Sequence, residues 1–143
     1  MVVRTESWLI DKSALVRLAA SAGSSQWDRR VERGLVHIAT VTLLEIGFST
    51  RSAGEHEAAL SLPPVALMPL EYLTPAAETR AVHVQRLLAA RGQHRAPSVP
   101  DLIIAAIAEE SHLTVLHQDK DFDLIAEVTN QSVESLNESP VGP

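Results

Sequence analysis

Apolar residues along this chain fall into short dense runs, separated by longer stretches with helical spacing. Ser7 to Ile10, Val36 to Ala39 and Leu113 to Leu116 are brief, almost wholly apolar runs. A parallel strand covered on both faces presents this pattern. After the first run, Lys12-Ser13 opens a helix with Ala14, Leu15, Leu18 and Ala19 on one face. Gln26 to Arg33 reads as a short amphipathic helix stopped by Gly34, and Thr40 to Phe48 as a helix that follows the second run directly. Ser52 to Leu60 is a helix of mixed polarity, broken by Leu62-Pro63-Pro64, and Val65 to Leu70 is a further strand candidate weakened by Pro69. Thr74 as N-cap and Pro75 at the first helical position start a long helix whose stripe is Ala81, Val84, Leu87 and Leu88, ended by Gly92. Asp101, beside Pro100, opens another, striped by Leu102, Ile103, Ala106 and Ile107. Phe122 to Val128 closes the helices and Gln131 to Leu136 reads as an edge strand.

Strands alternating with crossover helices predict an α/β fold: three α/β/α layers around a short central parallel sheet. One domain over residues 1–136 and a tail over 137–143 are expected.

Composition narrows the chemistry. The 143 residues include no cysteine, which excludes a disulfide framework and any thiolate metal site. No apolar run approaches the roughly 20 residues of a membrane span. The first residues show no secretory pattern, so the expected location is the cytoplasm. The net charge of −6 has the wrong sign for a simple phosphate-backbone binder, so a nucleic-acid role requires bound cations or a local basic patch. Aromatics are only 3%, too few for base-stacking platforms.

The acids supply the pattern that matters. Of six aspartates, all but Asp28 fall at strand ends or helix starts: Asp11 after the first strand, Asp101 at a helix start, and Asp119, Asp121 and Asp123 after the Leu113 strand. The carboxyl edge of a parallel sheet is where open α/β folds bind ligands. Carboxylates that converge there need a proton or a cation between them. Oxygen-only ligands select hard ions such as Mg²⁺ or Mn²⁺, which activate water and neutralise phosphoryl charge. A calcium loop starting at Asp119 is excluded, since its sixth and twelfth positions are Leu124 and Asn130 where Gly and Glu are needed. His112 and His117 read as surface or core hydrogen-bonding residues, and Glu109 and Glu110 as helix surface. Glu45 is either a site acid or half of a Thr42-x-x-Glu45 capping box, and Asp11 is either a site acid or an N-cap. Arg29, Arg30 and Arg33 read as a solvated face, or more weakly as an RNA-facing patch. The loop Arg91 to Pro97 is basic and leads into Asp101.

Four segments together resemble a known family: Leu9-Ile-Asp-Lys-Ser-Ala, Val41-Thr-Leu-Leu-Glu-Ile-Gly, Val99-Pro-Asp-Leu-Ile-Ile-Ala-Ala and Leu116-His-Gln-Asp-Lys-Asp-Phe-Asp. In this order and spacing, from Trp8 to about Val133, they resemble PIN-domain ribonucleases, in particular the VapC toxins of type II toxin–antitoxin pairs. The resemblance implies a PIN-like fold and a Mg²⁺- or Mn²⁺-dependent endoribonuclease that acts as a homodimer and is held by a VapB-like antitoxin. It implies Asp11, Glu45, Asp101 and Asp119 as catalytic acids. Asp11, Asp101, Asp119 and Asp121 would hold metal, with either Asp119 or Asp121 as the fourth family acid. Many relatives carry Thr where Lys12 stands; Lys12, Arg91 and Arg95 are the candidate RNA contacts, and Ser13 is positioned to orient Asp11.

Two other readings use the same residues. An acid-cluster phosphatase or phosphotransferase would use Asp11 in aspartyl transfer. A non-catalytic binding module would use Asp11, Glu45 and Asp101 only as helix caps.

Overall fold

A computed structural model describes residues 5–137. The five strands are β1 (Trp8–Ile10), β2 (Val36–Ala39), β3 (Leu70–Glu71), β4 (Thr114–His117) and β5 (Val133–Ser135). Every pairing is parallel and the spatial order is β3-β2-β1-β4-β5. The chain leaves central β1 toward β2 and β3, then crosses back to β4 and β5 on the other side. A crevice therefore opens between the carboxyl ends of β1 and β4, the topological switch point where α/β sheets hold ligands.

The helices are α1 (Lys12–Leu15), α2 (Ser24–Glu32), α3 (Thr40–Phe48), α4 (Ala53–Ser61), α5 (Pro75–Ala90), α6 (Val99–Glu110) and α7 (Asp121–Thr129). Side-chain alternation along each strand divides the core in two. Leu9 and Val115 point into one half with α5, α6 and α7; Trp8, Ile10 and Leu116 point into the other with α1 and α2. The three-layer parallel architecture is the one expected from the strand–helix alternation. Leu88, fully buried on α5, lies in the first half and far along the chain from every candidate acid. Leu88→Ala is expected to cost about 2–5 kcal/mol in denaturant unfolding through the cavity it leaves.

Four local expectations are corrected. Val65 to Leu70 is not a strand: Val65–Leu67 is a 3-10 turn and pairing is confined to Leu70–Glu71. Pro69 has no N–H to give the ladder, and only its carbonyl takes part, accepting Ile38 N–H at 2.9 Å. The helix bearing Asp101 begins two residues earlier, because Ser98 caps it through Asp101 N–H at 3.2 Å and Pro100 is tolerated in the first turn. The Thr42–Glu45 capping box does not form. Strand β2 runs straight into α3 with Ala39 as N-cap, which leaves Thr42 inside the helix and Glu45 at its sixth position. Arg30 is not part of a solvated face: its guanidinium sits 4.5 Å and 4.4 Å from the rings of Trp8 and Trp27. Trp8 starts β1, so this stack is at the sheet end away from the acids.

The edge strand expected over 131–136 is present as β5, its third residue pairing with His117. Of the expected tail, residues 138–143 lie outside the described residues.

Candidate metal centre

Asp11 follows β1 directly and takes its place through main-chain geometry, its N–H donating to Leu116 O at 3.0 Å. The side chain caps α1, accepting from Ala14 N–H at 3.2 Å and from the Ser13 hydroxyl at 2.7 Å, both on Oδ1. Capping and site membership are thus compatible in this residue. Ser13 also accepts Gln118 N–H at 2.8 Å, so one hydroxyl ties the β1 exit to the β4 exit. Asp11 is only 4% exposed. Burial raises its carboxyl pKa, and the hydrogen bonds from Ser13 and Ala14 offset part of the rise.

Asp101 occupies the first turn of α6 and is buried. Asp119 lies in the turn after β4, and Asp121 is the first residue of α7. There Asp119 Oδ1 accepts Asp121 N–H at 2.9 Å, an Asx turn that fixes both acids relative to one another. One carboxylate oxygen from each of Asp101, Asp119 and Asp121 lies within 4.8 Å of the others. Such crowding is visible electrostatically. The Asp101 pKa rises from 3.8 to about 7, chiefly through burial, then through the charges of Asp119 and Asp11, and last through Asp121; Ser98 offsets part of it. Asp121 is also raised, by burial first and Asp119 next.

Glu45 enters from α3, half-buried, and is raised by burial and by Asp11, while Lys12 lowers it. Lys12 is held above the same cleft by a 2.9 Å bond from Nζ to Ser49 Oγ.

These residues share an open cleft of about 630 Å³ whose wall includes Lys12, Ser13, Glu45, Arg95, Asp101, Asp119 and Asp121. Asp11 stands behind that wall, outside the converging trio yet near enough for its charge to act on Asp101. Arg91 is elsewhere, with Nη2 3.2 Å from Glu127 Oε2. Two hydrogen-bonding residues of the wall, Arg17 and Ser98, are not among the candidates read from sequence. Arg17 donates to Ser13 O at 2.7 Å, and Ser98 caps the Asp101 helix. The signal for Arg17 was its position one helical turn beyond Ser13; for Ser98, its place three residues before Asp101.

The donor set fits a hard divalent cation. It offers only oxygens, converges from two chain segments, and contains a buried acid that must carry a proton or face a positive charge near neutral pH. Oxygen ligands at ~2.0–2.6 Å from a shared ion are compatible with carboxylates at this separation.

The PIN domain family model matches residues 8–128. The chain is 57% identical to Ribonuclease VapC2 of Mycobacterium tuberculosis (strain CDC 1551 / Oshkosh), over 94% of this chain and 96% of that protein. It is 40% identical to Ribonuclease VapC21 of Mycobacterium tuberculosis (strain ATCC 25618 / H37Rv), over 91% and 94% of the two chains. Among solved structures, a chain of VapBC2 from Rickettsia felis bound to a promoter DNA fragment aligns with a TM-score of 0.74 at 12% identity, covering 90% of this chain and 97% of that one. At that identity the likeness speaks for the fold.

Proposed function

The chain belongs to the PIN-domain family, among its VapC ribonucleases, and from that membership we propose that it is the toxin of a type II toxin–antitoxin pair: a metal-dependent endoribonuclease that hydrolyses RNA phosphodiester bonds. The observation that carries the reading is the convergence of Asp101, Asp119 and Asp121 within 4.8 Å at the switch point of the sheet. Asp101, Asp119 and Asp121 would hold Mg²⁺ or Mn²⁺, with Asp11 and Glu45 completing the negative field behind it. The bound ion supplies a Lewis acid for the phosphoryl oxygens and lowers the pKa of an attacking water.

The chain's own residues do the rest. Ser13 keeps Asp11 oriented through its 2.7 Å bond. Lys12, Arg17 and Arg95 form a cationic lip on an otherwise acidic cleft, which lets a polyanion approach a protein of net charge −6. Arg95 lies exposed on that lip. Arg95→Ala is expected to raise KM for RNA several-fold with kcat little changed. The dependence of log KM on log salt should flatten by roughly 0.7 for the lost single-strand phosphate contact. Equal salt slopes for the variant and wild type would remove Arg95 from the RNA path.

Aspartyl transfer from Asp11 is poorly served: the carboxylate is buried behind the wall and Oδ1 already holds two hydrogen bonds. A purely capping role suits Asp11 alone, since neither Glu45 nor Asp101 caps its helix.

A VapB-like antitoxin has a suitable landing surface. Leu44 and Phe48, on the helix that carries Glu45, are 68% and 91% exposed, and exposed Val16 lines the cleft itself. A homodimer would cover a second apolar strip between α5 and α6, where Leu73, Val82 and Val99 are exposed. No helix among the described residues is long and apolar enough to cross a membrane.

Incubating the purified chain with total RNA tests the activity. Discrete fragments with Mg²⁺ or Mn²⁺ and none with EDTA are expected. Undiminished cutting in EDTA would contradict the metal-dependent reading.

A further inference from the structure

His117 is the last residue of β4 and is 1% exposed, yet nothing in the proposed chemistry uses it. Its main chain is fixed by the sheet, with its carbonyl accepting Leu136 N–H at 2.8 Å. The ring is held at Nδ1 and on one face. Nδ1 accepts Asp119 N–H at 3.2 Å. Nε2 lies 3.5 Å from Asp123 Oδ1 but makes no hydrogen bond. The ring packs against Phe122 with centroids 5.3 Å apart.

An imidazole nitrogen that accepts a hydrogen bond carries no proton, so the neutral ring has its hydrogen on Nε2, on the side where Asp123 lies. The ring therefore ties the sheet to the turn that bears the acids. From Nδ1 the connection runs to the Asp119 main chain, through Asp119 Oδ1 to Asp121 N–H at 2.9 Å, and so to both carboxylates that meet Asp101. Repulsion among Asp101, Asp119 and Asp121 drives them apart in the metal-free protein, and an anchor on the turn resists that spreading.

We propose that His117 is a positioning residue for the metal centre: through Nδ1 it fixes the Asp119 main chain and thereby sets the separation of Asp119 and Asp121 from Asp101. The inference rests on the cation site proposed above. Groups that orient a metal's ligands are typically worth about 10- to 100-fold in metal affinity.

The two conservative amides separate this role from space-filling. His117→Asn puts an acceptor oxygen near the position of Nδ1, whereas His117→Gln reaches toward Nε2 and leaves Asp119 N–H without its acceptor. Mn²⁺ titration by calorimetry, with a thermal melt of each metal-free variant, is expected to show Asn within about threefold of wild type and Gln weakened about 10- to 100-fold. With Gln, kcat should fall and KM for RNA stay level. Nitrogen NMR of the metal-free wild type gives an independent reading, expected to show the Nε2–H tautomer. Wild-type Mn²⁺ affinity in His117→Gln, equal losses in Asn and Gln, or an Nδ1–H tautomer would each overturn the positioning role. Absence of Mn²⁺ binding by the wild type itself would instead overturn the cation site, and this role with it.

Discussion

Asp101→Asn is expected to lower RNA cleavage about a thousand-fold, equivalent to about 4 kcal/mol of lost transition-state stabilisation, while the fold survives. The amide has the shape of the carboxylate, so the α6 N-terminus keeps its Ser98 cap. What is lost is the buried charge that, with Asp119 and Asp121, makes the trio a cation site. The same change is expected to raise the melting temperature of the metal-free protein at pH 8. Asp101 must ionise there against burial and the charges of Asp119 and Asp11. The Asn variant escapes that cost. At pH 5 the wild-type side chain is protonated in the folded state and the gap should narrow, closing only below about pH 3.8, where the unfolded chain is protonated too. A variant that still cleaves at the wild-type rate would remove Asp101 from the site, and one that unfolds would make its role structural.

A second large effect is linkage between metal, protons and stability. Folding raises the Asp101 pKa from 3.8 to about 7, so between those values the folded protein binds a proton that the unfolded chain has released. Stability of the metal-free protein therefore falls as pH rises through this window, by up to about 4 kcal/mol if Asp101 acted alone. Asp11, Glu45 and Asp121 are raised as well and push in the same direction. Mn²⁺ must displace the Asp101 proton, so its affinity should weaken roughly tenfold per pH unit below about 7 and level off above it. Calorimetry at pH 6 in buffers of different ionisation enthalpy should register release of close to one proton per ion bound. An affinity flat between pH 5.5 and 8 would mean that the ion does not engage Asp101.

The sheet was legible in the sequence because its central strands are buried on both faces. Trp8–Ile10, Val36–Ala39 and Thr114–His117 meet that demand with predominantly apolar runs, broken by half-buried His37 in β2 and by Thr114 and His117 at the ends of β4. The acids were legible for a related reason: they interrupt those runs at the carboxyl ends. What stayed hidden depends on which of two partners a group takes. Thr42 and Glu45 have the spacing of a capping box, but β2 enters α3 without a connecting loop and the cap falls on Ala39. Val65 and Met68 are buried in a short apolar segment that fits a strand or a turn equally well, and Pro69 settles it by supplying only a carbonyl. Arg91 and Arg95 belong to the same basic loop, yet only Arg95 reaches the cleft because Glu127 on α7 engages Arg91. His117 had no sequence signal as an anchor, since its role comes from the direction of one ring nitrogen.

The most direct measurement is crystallographic: anomalous diffraction from crystals of this chain soaked in Mn²⁺ at pH 8. A peak among the Asp101, Asp119 and Asp121 carboxylates is the expected result, with each supplying an oxygen at ~2.0–2.3 Å, intermediate between Mg²⁺ and Ca²⁺ ligand distances. A well-ordered cleft with no anomalous peak, or a peak held by other residues, would contradict the metal centre on which the proposed ribonuclease chemistry depends.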